Sequence, residues 1–425
     1  MIRIINKRDC CGCEACIQIC PKHCILGKVD SEGFMYPVVN QNECVECGLC
    51  ETVCPVHNQF DEKDPLKSFA AQNNEDKDLL ASSSGGVFVL LAKDIINKKG
   101  VVFGAKFDTN WTVIHSYTDT LGGVKEFMGS KYTQSRIGDC YKDVKTILES
   151  GRLVMFSGTS CQVAGLKRFL RKDYPNLLTV DVICHGVPSP MVWQDYLGEL
   201  KENARKGENT VSLRHDHQIS EEDALLQGGN VDVESISFRD KRLGWKKFSF
   251  ALTLAEATAD GKKNSVSLSH IHREDAYMMA FIRNLILRPS CYHCPAKGGR
   301  SNSDLTIADF WGVQRIIPEF NDDKGCSLVI TNTSKGLKLF ERLNLKSQEV
   351  IFENAIQGNG VYFHPVKPHC QRKKFFKAFG KKHKSVTYLL KYYTQVPIYN
   401  KCLMFLRRIA SKVCREIRNL KTNNL

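Results

Sequence analysis

The sequence predicts three consecutive parts: a small cysteine-rich module, an α/β body and a basic helical tail. Ten of the 19 cysteines fall within residues 10–54, which marks the first part. Beyond a polar linker at residues 57–66, short β-branched runs alternate with helical patterns, as in α/β proteins. Residues 366–425 hold 16 of the 60 Lys and Arg residues and one acid, so the tail carries the net charge of +14. We expect domains at residues 1–57, 68–365 and 366–425.

Strands and helices are predicted to alternate along the body. We expect a helix over residues 87–96, strands over 101–107, 153–157 and 177–184, and helices over 165–171 and 191–202. The stretch 205–261 is polar and contains glycines, which indicates a loop or hairpin insertion. Strands over 304–311 and 327–332, followed by a helix over 335–345, complete the body.

The composition, with 42% hydrophobic and 25% charged residues, is that of a folded globular protein and excludes a disordered chain. No apolar run approaches the roughly 20 residues that span a bilayer. No signal peptide precedes the first cysteine, so we expect a cytoplasmic protein. In a reducing compartment, this density of cysteines indicates bound metal rather than disulfides.

Two runs of cysteines share the spacing C-x2-C-x2-C-x3-C-P. In bacterial dicluster ferredoxins three thiolates of such a run bind one [4Fe–4S] cluster, and the fourth, before proline, binds the other. The set assigned to cluster one is Cys10, Cys13, Cys16 and Cys54. The set assigned to cluster two is Cys44, Cys47, Cys50 and Cys20. We take Cys11 and Cys24, which fall outside this spacing, as non-ligands.

Structural zinc is the alternative, because paired C-x2-C knuckles also form tetrahedral zinc sites. Two complete four-cysteine runs, each ending in Cys-Pro, favour iron–sulfur clusters over zinc. A bare dicluster ferredoxin only passes single electrons, so the body must supply a further redox centre or a substrate site.

Polar residues and glycines in the body mark candidate cofactor loops. The stretch 82–86 (SSSGG) precedes the predicted helix 87–96, where hydroxyls and glycine amides could bind phosphate, or could only cap the helix. The stretch 129–135 (GSKYTQS) combines a cation, an aromatic ring and polar side chains. The stretches 157–162 (SGTSCQ) and 183–190 (ICHGVPSP) follow predicted strands. Neither G-x-G-x-x-G nor a P-loop occurs, which argues against ordinary NAD-binding and P-loop sites.

Several of these stretches together resemble the beta-subunit family of coenzyme F420 hydrogenases and dehydrogenases. They read SSGGVF, VVFGAKFD, GSKYTQS, FSGTSCQVAGLK, DVICHGVPSP and CYHCPAKGGRSNSDLTIADFWG, and the resemblance covers about residues 68–365. Many members begin with a dicluster ferredoxin domain. Members include F420 oxidoreductases, chlorophyll-pathway reductases and proteins encoded in bacterial polysaccharide clusters. Ser160 departs from the family, which usually has proline at this position.

The resemblance implies a flavoprotein in which FAD sits between iron–sulfur clusters and the substrate. We expect FAD to be held by residues of the polar loops: Ser83, Ser84, Gly85, Gly86, Gly129, Ser130, Lys131, Gln134, Ser135, Gly158 and Thr159. Lys131 and Tyr132 are predicted to lie beside the isoalloxazine or the substrate. His185 is a candidate proton donor, or a turn residue that bonds the backbone.

The resemblance also suggests a third cluster. Cys161 and Cys184 each lie where a predicted strand ends, Cys291 and Cys294 form a C-x2-C pair, and the carboxyl ends of parallel strands meet at one crevice. Four thiolates could therefore hold another [4Fe–4S] cluster beside the flavin. The alternative is that Cys161 and Cys184 are ordinary buried cysteines.

The function implied is an iron–sulfur flavin-dependent oxidoreductase. A flavin converts hydride chemistry into the one-electron steps of the clusters. The substrate could be coenzyme F420 or a glycan-pathway intermediate, and the electron partner a ferredoxin or hydrogenase-like protein. The alternative is an electron-transfer adaptor that feeds a partner enzyme in polysaccharide biosynthesis and has no substrate site of its own.

The tail has apolar residues at helical spacing from Ser385 to Leu420, broken at Pro397 and flanked by basic residues. Such a helix could lie on an anionic membrane, at its inner face, or could pack its apolar side on the body. No nucleic-acid-binding module is recognisable, so no nucleic acid is predicted.

Overall fold

A computed structural model describes residues 1–206, 231–257 and 263–395. The N-terminal module contains α1 (Ala15–Ile19), β1 (Ile25–Val29), β2 (Met35–Val39) and α2 (Leu49–Thr52). The two strands pair antiparallel, with Ile25 opposite Val39. The hairpin and the short helices surround most of the cysteines of this module.

The body follows as a longer series of strands and helices. In chain order it contains β3 (Lys67–Asn73), α3 (Asp76–Ala81), α4 (Val87–Asn97), β4 (Val101–Phe107), β5 (Val113–Thr118), α5 (Leu121–Phe127), α6 (Cys140–Glu149), β6 (Val154–Thr159), α7 (Ser160–Leu170), β7 (Leu177–Val182), α8 (Pro190–Arg205), β8 (Val231–Asp240), β9 (Ser249–Ala257), β10 (Lys263–Ile271), α9 (Ala276–Ile282), β11 (Leu305–Asp309), β12 (Ser327–Thr331), α10 (Ser334–Phe340), β13 (Leu345–Val350) and α11 (Phe352–Ala355).

The described part of the body is built on one mixed sheet of eight strands, in the order β13-β3-β12-β11-β7-β6-β4-β5. Strands β4, β6, β7 and β11 run parallel, and the neighbouring pairs at both sides are antiparallel. The predicted α/β class is confirmed. The predicted helix 335–345 is shorter than expected, because α10 ends at Phe340 and the chain turns into the edge strand β13.

The central strands are covered on both faces. Val101, Val102 and Phe103 of β4 are consecutive and fully buried, a pattern that alternating strands of a half-exposed sheet do not show. Val101 and Phe103 pack towards one cluster of apolar side chains, and Val102 packs towards another. Because these strands are buried on both faces, the loops that follow them start from fixed positions. Candidate site residues lie at or directly after the ends of β6 and β7.

The predicted insertion is a second, antiparallel sheet of β8, β9 and β10 in the described residues. Residues 207–230 and 258–262 of the predicted insertion lie outside the described residues. Phe238 and Phe250 of this sheet pack on Trp193 of α8, with ring centroids 4.9 Å and 6.2 Å away. The insertion therefore shares a core with the body.

The start of the tail packs on the body. Helices α12 (Arg372–Phe379) and α13 (Val386–Thr394) bury Phe375, Leu389 and Leu390 in the core that α8 and α9 share. Of the two interpretations of the tail, packing of the apolar side on the body is therefore correct for α13. Residues 396–425, which carry the rest of the predicted tail helix, lie outside the described residues.

Of the helices in the described ranges, none combines the length and apolar character that a bilayer crossing requires.

Candidate functional site

The N-terminal module contains a cavity with the cysteines assigned to cluster one on its wall. Its lining includes Cys10, Cys13, Cys16 and Cys54. The cavity is also lined by Tyr36, whose buried hydroxyl has no hydrogen-bond partner within the described chain. A cluster in this cavity would offer acceptor atoms to that hydroxyl.

A second cavity is lined by the other predicted set, Cys20, Cys44, Cys47 and Cys50. Cys47 is exposed to solvent, whereas Cys20 and Cys50 are buried. The amide of Ile2 donates to Cys50 Sγ at 3.2 Å. Cys24, taken as a non-ligand, also lines this cavity, with its Sγ 3.4 Å from that of Cys20.

Backbone amides approach the sulfurs of both sets. The amides of Ala15 and Ile17 hydrogen-bond to Cys13 and Cys16, and those of Val56 and His57 bond to Cys54. Hydrogen bonds of this kind stabilise thiolates and tune the reduction potential of a cluster. The donor sets and their surroundings thus fit two [4Fe–4S] clusters. Across the described residues, no three His, Cys, Asp or Glu side chains come close enough to hold a single metal ion.

The module is docked on the body through α1 and the residue before it. The Glu14 carboxylate accepts hydrogen bonds from the amides of Ile137 and Gly138, at 2.9 and 3.1 Å. The Gln18 side-chain oxygen accepts one from the amide of Tyr141, at 2.9 Å. The first amides of a helix lack partners within it, so Gln18 satisfies one amide in the first turn of α6. Glu14 binds the two residues of the loop that leads into α6. Burial raises the pKa of Glu14, and the hydrogen bonds that its carboxylate accepts from the two backbone amides lower this pKa in part.

Four half-buried cysteines of the body interact with one another, and one of them, Cys161, contacts the module. They are the candidate ligands of the third cluster: Cys161, Cys184, Cys291 and Cys294. Burial raises the pKa of Cys184 to about 12 and that of Cys294 to about 11. Burial raises the pKa of Cys291, and the charges of Cys184, Cys294 and Cys161 raise it further, so the four thiols interact with one another.

Cys11 and Gly165 link this region to the first cavity. The Cys11 thiol contacts the thiols of both Cys13 and Cys161. One turn further along α7, a Cβ on Gly165 would lie 2.8 Å from that of Cys13, closer than side chains pack. The absence of a side chain at Gly165 therefore lets α7 press directly on the cluster-one loop.

Hydrogen bonds hold the turn between β6 and α7, although Ser160 replaces the proline that is usual in the family. The Ser160 hydroxyl donates to the carbonyl of Val182, at the end of β7, at 3.3 Å. The Gln162 side chain accepts from the amide and the hydroxyl of Thr159, at 2.9 and 3.0 Å. The serine thus ties the turn to the neighbouring strand, where the usual proline would have no donor.

Two of the candidate cofactor loops are joined to each other and to the start of β12 by hydrogen bonds. The Ser83 hydroxyl accepts a hydrogen bond from the amide of Ser130 at 2.7 Å, which joins the stretches 82–86 and 129–135. Ser84 donates to the carbonyl of Cys326, beside the first residue of β12, at 2.9 Å. Gly129 has φ of +78° and open space where a Cβ would lie.

Other groups of the predicted flavin site are already engaged within the protein. The Gly85 amide donates to Ser327 Oγ at 2.9 Å, and a Cβ there would lie 2.2 Å from the carbonyl oxygen of Ala71. The Thr159 amide is taken by Gln162. Gly85 is therefore explained by close packing on β3 and β12, while Gly129 remains open to a ligand.

His115 connects two of the loops and was not singled out from the sequence. Its ring bonds Ser135 Oγ at 3.0 Å and the carbonyl of Ser157 at 3.1 Å. Gln162 donates to the same Ser135 hydroxyl at 2.9 Å. Burial lowers the pKa of His115 to about 4, so the ring is neutral at physiological pH. A single histidine inside a strand carries no sequence signal of this role.

The three candidate catalytic residues lie around two phenylalanine rings. Tyr132 stacks on Phe281 with ring centroids 4.6 Å apart, and His185 meets the same ring edge-on at 5.2 Å. His185 Nε2 bonds the side-chain oxygen of Asn284 at 2.6 Å. The Lys131 ammonium donates to the carbonyls of Met128 and Gly129 and lies 6.0 Å from the centre of the Phe107 ring.

A buried polar group beside Tyr132 was also missed. Arg239 pairs with Asp309 at 2.9 Å, and its side chain interacts with the Tyr132 hydroxyl. Its Nε has no hydrogen-bond partner in the described residues. Asp309 ends β11, so the pattern of polar residues at strand ends could have drawn attention to it.

Two family models match separate parts of the chain. Residues 9–58 match the model of the 4Fe-4S dicluster domain. Residues 151–356 match the model of the C-terminal part of the coenzyme F420 hydrogenase/dehydrogenase beta subunit. The chain is also similar to one in a structure of the F420-reducing [NiFe] hydrogenase complex from Methanosarcina barkeri. The identity is 14%, the match covers 71% of this chain and 88% of the other, and the TM-score is 0.43. No curated protein matches the chain.

Two cysteine-lined cavities, backbone amides at their sulfurs and the two family models lead to one conclusion. The chain joins a 4Fe-4S dicluster domain to a body whose residues 151–356 belong to the coenzyme F420 hydrogenase/dehydrogenase beta-subunit family.

Proposed function

We propose that the chain is an iron–sulfur flavoprotein oxidoreductase that exchanges electrons between a redox partner and a two-electron substrate. Electrons would pass between cluster two, beside exposed Cys47, cluster one, a third cluster in the body, and FAD. The clusters carry single electrons, whereas FAD, when bound, exchanges electrons both singly and as a hydride.

One observation carries this proposal: the first cysteine cavity abuts the four-cysteine region of the body. Cys11 is next in sequence to Cys10, a cluster-one ligand in our assignment, and contacts Cys161. A ferredoxin domain that only served external partners would gain nothing from so close a contact. The contact supports an electron route from the module into the body.

The third cluster is proposed at Cys161, Cys184, Cys291 and Cys294. The Val187 amide lies 3.4 Å from Cys291 Sγ and could donate to a ligating thiolate. Lys297 donates to the carbonyl of Cys184 at 2.6 Å, which brings a buried cation to the region. Both features favour negatively charged thiolates and a bound cluster.

The FAD site is proposed where the stretches 82–86 and 129–135 meet. The hydrogen bond between Ser83 and Ser130 positions the two loops, and open space at Gly129 lets a ligand approach the backbone. Arg239, whose Nε has no partner in the described residues, has a side chain that interacts with the Tyr132 hydroxyl. These groups would orient the flavin with one ring face towards the substrate.

Lys131 is the strongest candidate for holding a proton near the substrate. Burial lowers the pKa of its ammonium to about 7, so it can give or take a proton at neutral pH. Tyr132 is less suited to this task, because burial raises the pKa of its hydroxyl. We assign Tyr132 to the positioning of the loop and leave His185 as a second proton donor.

The substrate class follows from the family resemblance, with coenzyme F420 as one candidate and a glycan-pathway intermediate as the other. The electron partner would be a ferredoxin or a hydrogenase-like protein that meets the module near Cys47.

The second candidate is an electron-transfer adaptor without a substrate site. The engaged amides of Gly85 and Thr159 favour it, because they leave fewer free donors for flavin phosphates. In this case the body would deliver electrons to a partner enzyme.

Anaerobic purification with measurement of iron, sulfide and flavin separates the two functions. The flavoprotein should contain about one FAD per chain, and reduced F420 or another hydride donor should bleach its visible absorption. Iron and sulfide without flavin would support the adaptor.

A pair of serine variants tests the position of the flavin. Ser83→Ala removes the acceptor that holds Ser130, and a lost hydrogen bond of about 1.5 kcal/mol should weaken FAD binding roughly tenfold. Ser82→Ala is the matched control, because in the described part of the chain its hydroxyl donates to the carbonyl of Asp78 in α3 and does not join the two loops. Equal flavin affinity in both variants would place the site elsewhere.

A further inference from the structure

Arg288 is a buried cation that reaches from the body to the first cysteine cavity. Its side chain is 1% exposed. Nε and Nη2 donate to the carbonyls of Cys10 and Met35, both at 2.8 Å, and Nη1 donates to Gln134 Oε1 at 2.9 Å. Nη2 also lies 3.5 Å from Cys10 Sγ. The guanidinium therefore bonds the backbone and the sulfur of a cluster-one ligand.

The charge of Arg288 has no ion-pair partner of the usual kind. Among the described residues, no carboxylate lies within salt-bridge distance of it, and its neighbours include the ring of Tyr36, 4.4 Å from the guanidinium carbon. The Glu14 carboxylate acts on it from beyond that distance, and a buried charge without a close counter-charge is costly. Thiolates and a cluster bound in the adjacent cavity would supply negative charge close to the guanidinium.

The chain makes room for this arrangement at Gly12. A Cβ at this position would lie 2.7 Å from Arg288 Nη1 and 2.6 Å from Gln134 Nε2. The backbone φ of Gly12 is +72°, a conformation that residues with a side chain rarely adopt. The loop between Cys11 and Cys13 is thus shaped to admit the guanidinium.

The second cavity lacks a comparable cation among the described residues. The N-terminal amine beside it pairs with Glu51 at 3.1 Å, and Lys22 on its lining is exposed. The group from outside the cysteine loops that bonds a ligand sulfur here, Cys50 Sγ, is the backbone amide of Ile2, which carries no charge. The two clusters therefore experience different electrostatic environments.

We propose that Arg288 raises the reduction potential of cluster one above that of cluster two. Reduction adds negative charge to a cluster, and a nearby buried cation stabilises that charge. Electrons that enter at the exposed cluster two would come to rest on cluster one, beside the four cysteines of the body. Arg288 acts through its charge on cluster one and takes no part in the reaction of the substrate. The inference rests on the assignment of Cys10 to cluster one, which belongs to the proposed function.

An EPR-monitored redox titration of the anaerobically reconstituted full chain tests this proposal. The signal that disappears in Cys13→Ser identifies cluster one, and the signal that disappears in Cys47→Ser identifies cluster two. In Arg288→Met, the ratio of reduced to oxidised cluster one at a fixed potential should fall about tenfold, or about 59 mV for one electron. The potential of cluster two should stay unchanged.

Arg372→Met is the matched control. Arg372 is also a buried arginine, but it pairs with Glu32 and bonds Leu287 and Tyr292, with no contact to a cysteine of the described chain. Its loss should leave both cluster potentials in place. An unchanged cluster-one potential in Arg288→Met, or equal shifts of both clusters, would overturn the proposal.

Arg288→Lys covers the case in which the methionine variant loses cluster one. Lysine keeps the charge but cannot reproduce the forked contacts of the guanidinium, so the cluster-one potential should fall by a smaller amount. A potential equal to or above that of the unmodified protein would contradict the proposal.

Discussion

The thiol of Cys11 lies against the thiol of Cys161, so the first cysteine loop of the module touches the first turn of α7 in the body. The two residues are far apart in the sequence, and no sequence motif contains both of them. The contact brings the loop that carries Cys10 and Cys13, predicted ligands of cluster one, next to Cys161, a proposed ligand of the third cluster.

Cys294→Ser should remove the proposed third cluster. We expect iron to fall from about twelve to about eight atoms per chain after anaerobic reconstitution, because a cubane needs its four ligands. Cys370→Ser, at an exposed cysteine outside the region, should keep about twelve. Eight irons in the unmodified chain would mean that the body binds no cluster.

Cys47→Ser should remove cluster two alone. Cys47 is the exposed ligand of the second cavity, so its replacement disturbs little packing, and we expect loss of about four irons. FAD should stay bound, since the proposed flavin loops do not line this cavity. Stoichiometric zinc without iron–sulfur absorption would instead support the structural-zinc interpretation.

Gly165→Ala should destabilise the protein, although alanine is the better helix former. Its Cβ would lie 2.8 Å from the Cβ of Cys13 and 3.0 Å from the Tyr141 hydroxyl, and such overpacking costs about 1–3 kcal/mol. Gly198→Ala is the control, because Gly198 lies within α8 and its Cβ would meet open space. That variant should gain about 0.5–1 kcal/mol.

Urea unfolding under anaerobic conditions measures both glycine variants. The iron retained after reconstitution gives a second readout, since displacement of α7 should loosen cluster one in Gly165→Ala only. Equal and positive effects of the two alanines on stability would show that α7 does not press on the module.

His115 should make the protein less stable in mild acid. The pKa of the ring falls from 6.5 to about 4 on folding because of burial, so the unfolded chain takes up a proton that the folded chain refuses. Stability is therefore lost as the pH falls from 6.5 towards 4, by about 2 kcal/mol at pH 5. Denaturation midpoints at pH 7 and pH 5 measure this difference.

His115→Gln is the control for this pH dependence, since glutamine keeps a polar group but does not titrate. The variant should lose less stability than the unmodified protein between pH 7 and pH 5. An identical loss in both proteins would show that His115 accepts a proton in the folded state.

The basic residues beyond α13 should bind anionic membranes. Residues 396–425 contain seven Lys and Arg and one acid, and each cation near such a surface adds about 1 kcal/mol. The full chain should co-sediment with phosphatidylserine vesicles at low salt, and a chain that ends at Gln395 should not. Truncation nearer His364 would remove the buried helices α12 and α13 and obscure the result.

The cysteine sets were predictable because ligand spacing is a local property of the chain. Strand ends were predictable for a similar reason, since β-branched runs such as residues 177–182 mark buried strands. Arg288 and Glu14 were not, because their roles depend on contacts between segments more than a hundred residues apart. The edge strand β13 was missed because its residues are mostly exposed and polar.

The attachment of Glu14 to the loop before α6, and of Gln18 to the first turn of that helix, has a mechanical consequence. Carrier domains on flexible arms deliver their cargo by swinging, and their throughput falls when the solvent is made viscous or the arm is lengthened. Here the module is fixed to the body by hydrogen bonds from backbone amides of the body to Glu14 and Gln18, and Arg168 of the body holds the carbonyls of Asn58 and Gln59 in the connecting stretch. The rate of electron transfer from the module to the body should therefore stay unchanged when glycerol raises the viscosity of the solvent.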